Sequence, residues 1–175
     1  LSKHAFIKNK ISVPNTRYTH FTVCAQICYL EILGIADIPL RRLETLFKSH
    51  EDFGKSGYEL KAKLRKLREV MNYLNRMFPN ESPDLHNRAS VVSIYLLVSE
   101  LLGKGNINGR EKKLRTFFAK FMQDLRKEIG KGVNAKDAQF INYQSATIQG
   151  ADDQKSIKMR RDILLEKLYS YDPFF

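Results

Sequence analysis

From Ala89 to Leu102 the chain is apolar on almost every side. Val91, Val92, Ile94, Tyr95, Leu96, Leu97, Val98, Leu101 and Leu102 leave only a narrow stripe of Ala89, Ser93 and Glu100. A helix of this kind has no face to offer water and belongs at the centre of a bundle. Asn87–Leu102 is therefore expected to be the most buried element, with amphipathic helices around it.

The rest of the chain supplies such helices. Within Tyr58–Phe78, Leu60, Leu64, Leu67, Met71, Leu74 and Phe78 are spaced 4-3-4-3-4, the seam of antiparallel helix packing or a short coiled coil. Within Arg110–Ile129, Leu114, Phe117, Phe118, Phe121, Met122, Leu125 and Ile129 share about 140° of arc on a helix. Pro14-Asn15-Thr16 caps a helix expected to run to about Ile35, past Gly34. Pro39 opens a helix over Leu40–His50, followed by a loop at Glu51–Gly57. Pro79–Leu85 is a connector and Gly103–Gly109 a turn. A short helix near Ala135–Tyr143, a polar stretch Gln144–Gln154 and a last helix from Asp153 to Ser170 complete the series. Strand-like alternation never extends beyond a few residues. The expectation is an all-α, single helical bundle-like domain of about six to eight helices. It spans residues 15–175 and is preceded by a strap or linker over residues 1–14.

At 175 residues and 43% hydrophobic content, the chain is long enough to bury a core. It opens on Leu1 rather than Met, which suggests a piece of a larger protein. No apolar run reaches the roughly 18 residues of a membrane span, and there is no signal peptide, so a cytoplasmic setting without a membrane partner is expected. Cys24 and Cys28 are the only cysteines and lie four apart on one helix, so they imply no disulfide framework.

Charge gives the clearest indication of a partner. The net charge is +11, from 30 Lys and Arg against 19 Asp and Glu. Lys112, Lys113, Arg115, Lys120, Arg126 and Lys127 project opposite the phenylalanine stripe, and residues 104–131 carry nine basic side chains against three acidic ones. A second cluster, Lys61, Lys63, Arg65, Lys66 and Arg68, contains no acid, and a third comprises Lys155, Lys158, Arg160 and Arg161. Each alone is the solvated face of a helix; together they suit a polyanion, with Lys61, Arg65 and Arg68 joining the longer helix as phosphate contacts. Arg161 falls within the apolar stripe of Ile157, Leu164 and Leu168, so it needs a partner. An internal acid such as Glu100 or Asp137 would serve; otherwise Arg160 and Arg161 mark an anion or inter-domain contact.

Catalytic and metal templates are not met. His20, Cys24 and Cys28 fall at i, i+4 and i+8 on one helix, which cannot wrap a tetrahedral ion with all three; they read as a packed face. Gly103-Lys104-Gly105 follows a helix rather than a strand, so it is no phosphate loop. No second carboxylate or histidine accompanies Glu100 at a catalytic spacing. No cofactor is expected.

The order of segments carries one resemblance. "NRASVVSIYLLVSELL" (87–102), "LRTFFAKFMQDL" (114–125) and "SIKMRRDILLEKL" (156–168), preceded by "NTRYTHFTVCAQICYLEILG" (15–34), resemble the helical region downstream of the ParB/sulfiredoxin-like domain in GmrSD-type restriction proteins. The resemblance implies the helical middle or end of such a protein. The family's Asp-Gly-Gln-Arg-type nucleotide motif and its HNH-type nuclease motif belong to other domains and are absent here, so no active-site residue carries over. The expected function is that of a non-catalytic domain of a DNA-directed restriction or defence protein. It would contact nucleic acid or pack on neighbouring domains of the same polypeptide. The alternative is a protein-interaction or self-association module, with a homodimer as one form, using the Leu60–Phe78 seam or the Phe117/Phe118 patch.

Overall fold

The computed structural model describes residues 1–38, 57–105 and 107–175. Among them are six α-helices: α1 Thr19–Leu33, α2 Gly57–Met77, α3 Arg88–Lys104, α4 Glu111–Ile129, α5 Ala138–Ile148 and α6 Gln154–Tyr171. No β-strand occurs among the described residues; the one bridge is an isolated parallel pairing of Ile11 with Ser82. The fold is all-α, as the periodicity predicts. The helix expected over Leu40–His50 and residues 51–56 of the loop after it lie outside the described residues.

α3 is the hub. Every residue from Ala89 to Ser99 is buried, together with Leu101. The helix packs against α1, α2 and α6. Its start is fixed by Asn87, whose Oδ1 accepts the Ser90 N–H at 2.8 Å and satisfies one of the free donors of the first turn. α4 lies on the outside, against α2, α5 and α6. Its apolar arc is buried while its opposite arc faces water, which is what the 3.6-residue period requires.

The strap is part of the core. Phe6 and Ile7 are fully buried and Ile11 and Val13 nearly so. The segment follows the connector before α3: Asn9 and Lys10 carbonyls accept the N–H groups of Glu81 and Ser82, and the Ser12 N–H donates to the Leu85 carbonyl. Phe6 meets Phe78 with ring centroids 6.5 Å apart.

Three helices differ in their bounds from the sequence expectation. α1 stops at Leu33 because Gly34 takes φ 84°, a left-handed value that ends a helix and suits glycine. α5 begins later and runs further than expected, since Asp137 Oδ1 accepts the N–H groups of Gln139 and Phe140 and sets the start there. Residues 144–148 of the supposed polar stretch are therefore its last turns, with Ala146 buried. α3 continues through Lys104 into the expected turn.

Candidate nucleic-acid interface

α4 presents Lys112, Arg115, Lys120, Arg126 and Lys127 to solvent, with Lys113 on one edge. The face is held from behind by large side chains. Leu114 and Phe118 are fully buried, and Phe117, Phe121 and Leu125 nearly so. Phe118 meets the Phe78 ring edge-on at 5.8 Å, Phe117 meets Tyr171 at 5.6 Å, and Phe121 sits 4.9 Å from Tyr143 and 5.3 Å from Phe140. These contacts anchor the helix to α2, α5 and α6, so the cations stand on a rigid support. They also close the Phe117/Phe118 patch to any partner, which removes one surface of the interaction-module alternative. The Leu60–Phe78 seam is equally committed, with Leu67, Met71, Leu74 and Phe78 buried in the chain's own core; Leu64 stays partly exposed.

The cations divide into two groups. Lys113 is bonded to the buried Asp172, whose carboxyl it holds below the usual carboxylate range. Arg126 reaches Asp84 at 3.2 Å and Lys120 pairs with Asp124 one turn on at 3.2 Å. These three are partly neutralised by acids of the fold. Lys112, Arg115 and Lys127 have no ion pair among the described residues, and neither do Lys61, Arg65 and Arg68 on α2. The last two line a shallow cleft with Arg76 and Asn108. Arg76 in turn bonds Glu111 at 3.0 Å, one turn before Arg115. This pair joins the end of α2 to the start of α4.

No family model, curated protein or solved structure matches the chain.

The third basic cluster is broken up by the fold. Arg161 is about a quarter exposed and lies 3.3 Å from Glu100 and 2.6 Å from Asp162. Glu100 was one of the two partners anticipated for it, and it also takes Lys104 at 2.9 Å. Arg160 is the deeper residue. Its side chain is 1% exposed; Nε donates to Ser93 Oγ at 3.1 Å, Nη1 to the Ala146 carbonyl and Nη2 to the Ala151 carbonyl at 2.8 Å. Its place in a surface cluster is corrected: α6 is buried over a wide arc between α3 and α5, and Arg160 points into that junction. Lys155 and Lys158 remain on the surface.

Two acids that periodicity did not single out organise the interior. Glu31 on α1 accepts hydrogen bonds from Tyr95 Oη at 2.8 Å and Ser99 Oγ at 2.9 Å, and Lys66 approaches it at 3.3 Å. Burial and this neighbouring carboxylate push the Tyr95 phenol well above its ordinary range. Glu128 is bonded to Lys131 and accepts the N–H groups of Lys136 at 2.5 Å and Asp137 at 3.0 Å, so it ties the end of α4 to the start of α5. The Lys131 bond and those two N–H donors lower its carboxyl to about 2.

The His–Cys face packs as a structural element. His20 Nε2 bonds the Val13 carbonyl at 2.8 Å and pins the strap to α1. Burial raises the Cys24 thiol to about 11; burial and then Cys24 itself raise Cys28 to about 12. Among the described residues no cluster of three His, Cys, Asp or Glu side chains is placed to share a metal ion, and no helix is long and apolar enough to cross a membrane.

Proposed function

We propose that this chain is a non-catalytic helical domain that contacts nucleic-acid phosphates through the outer face of α4, with the basic face of α2 as a second contact. The observation that carries the reading is the row Lys112, Arg115 and Lys127: exposed, without ion pairs among the described residues, and mounted on a helix whose other side is locked into the core. A rigid row of cations loses little conformational freedom on meeting a regular polyanion, so most of the counterion-release free energy is retained as affinity. Contacts of this kind position a protein on a backbone and carry no sequence information. The resemblance to the helical region of GmrSD-type restriction proteins supports DNA as the polyanion. It also supports a place beside catalytic domains of a larger polypeptide. Titrating a short duplex at several salt concentrations tests the reading. A log–log slope of about −0.9 per phosphate neutralised is expected, and salt-independent or absent binding contradicts it.

A further inference from the structure

A cavity of about 490 Å³ opens between the start of α3, the end of α4, α5 and the residues leading into α6. Its size lies within the range of small-molecule sites, about 300–1,000 Å³. One part of its wall is apolar, formed by Val92, Met122, Leu125 and Ile157, all buried; Gln26, Ser90 and Asp152 line another part. Its mouth is marked by exposed groups: His86, Arg126 and Ile148.

Two polar groups on its inner wall, Arg160 and Tyr143, are almost fully buried. Arg160 carries five N–H donors, of which three are used by Ser93, Ala146 and Ala151, so two remain. It makes no ion pair among the described residues. Asp152, the nearest acid, is bonded to Gln26 at 2.8 Å and lies 3.7 Å from Arg88. Tyr143 is 1% exposed, and its hydroxyl, although beside Ser93, makes no hydrogen bond of good geometry among the described residues. Asp152 acts on Arg160 only at a distance, so Arg160 lacks a direct ion pair and Tyr143 a well-formed acceptor among the described residues, and both cost stability. One ligand group would satisfy both.

We propose that this cavity binds a small organic carboxylate, its apolar, ring-sized body against Val92, Met122 and Leu125 and its carboxylate on Arg160 and Tyr143. The charge selects a monoanion, since Arg88 and Arg126, which also line the space, are paired with Asp152 and Asp84 and Arg160 alone has no direct ion pair among the described residues. The donors select two acceptor oxygens, since two Arg160 N–H groups and one phenol remain. The planar guanidinium fork suits a carboxylate.

The full chain can be titrated with 1-naphthylacetate, with 1-naphthylacetamide as the neutral match and 1-naphthyl phosphate as the dianionic one. Methyl NMR shifts report the position and calorimetry the affinity. The acetate is expected to saturate, to shift the methyls of Val92, Met122 and Leu125, and to bind roughly tenfold or more tightly than the amide, the scale of a charge-assisted hydrogen bond. Because Arg160 also holds the fold, Tyr143→Phe serves as the variant. It removes a hydroxyl that makes no well-formed hydrogen bond among the described residues, so the unfolding midpoint should hold while acetate affinity falls about threefold to tenfold. Equal affinity for acetate and amide, tighter binding of the phosphate, shifts elsewhere, no saturation, or an unchanged affinity in Tyr143→Phe would each overturn the proposal.

Discussion

Arg160 Nε donates to Ser93 Oγ across 3.1 Å, joining α6 to the middle of α3. The same guanidinium spans to the Ala146 carbonyl on α5 and the Ala151 carbonyl beyond it. One side chain therefore ties three segments together, and burial lowers its pKa from the usual arginine value, so its charge is held against a desolvation cost. Arg160→Ala is expected to destabilise by at least about 3 kcal/mol, since hydrogen bonds to charged groups contribute about 1.5–3 kcal/mol each. Arg160→Lys should recover only part of this, because one ammonium cannot reproduce the spread of the guanidinium fork. Urea unfolding of the two variants measures both effects.

Arg161 and Glu100 behave differently. Each is about a quarter exposed and each has a second partner, Asp162 for the arginine and Lys104 for the glutamate. The apolar stripe of Ile157, Leu164 and Leu168 implies that Arg161 depends on a partner. With solvent access and a spare partner on both sides, either single substitution to Ala is expected to cost no more than about 1 kcal/mol. A double-mutant cycle with a coupling well above that value would show a more isolated pair than the structure describes.

Phe121 sits among Phe117, Phe140 and Tyr143, with ring centroids 6.2, 5.3 and 4.9 Å away. Phe121→Ala should cost about 3–5 kcal/mol, the range for a buried phenylalanine truncation. A loss below about 1 kcal/mol would mean that the stripe of α4 is not the anchor of its basic face.

Glu128 gives the fold a pH signature. Its carboxyl is depressed to about 2 by Lys131 and by the N–H groups of Asp137 and Lys136. An unfolded glutamate titrates near 4.3, so the folded state binds fewer protons. The stabilisation is fully present above about pH 5 and is lost as pH falls towards 2. Glu128→Gln should flatten the acid limb of a stability profile across that window and leave the slope between pH 6 and 8 unchanged. Thermal melts at stepped pH test this.

The fold was legible wherever the hydrophobic period is long and unbroken. α3 announces its burial with nine large apolar residues in twelve positions from Val91 to Leu102, and α4 announces its two faces with seven residues in one arc. The ends of α1 and α5 were less legible. They are set by single groups, Gly34 at its positive φ and the Asp137 cap, which compete with the period locally. The site was legible as charge but not as pairing. The acids that neutralise Lys113 and Arg126, Asp172 and Asp84, come from distant parts of the chain. Arg160 and Arg161 sit on adjacent spokes of a helix with a wide buried arc. Which of them lies deeper depends on how α3 and α5 pack against α6, and no projection of α6 alone contains that.

The most direct test of the central claim is duplex DNA binding by a variant carrying Lys112→Glu, Arg115→Glu and Lys127→Glu. All three side chains are exposed and lie clear of the core, so the fold should hold. Lys113 is left in place because a glutamate there would face Asp172. Reversal of Lys155 and Lys158, exposed on α6, controls for net charge. The wild-type chain is expected to bind without sequence preference at about 10⁻⁴–10⁻⁶ M at physiological salt. The triple variant should lose that binding with an unchanged melting temperature, while the control keeps most of it. Wild-type affinity in the triple variant, or no binding by the wild-type chain even at low salt, would contradict the account.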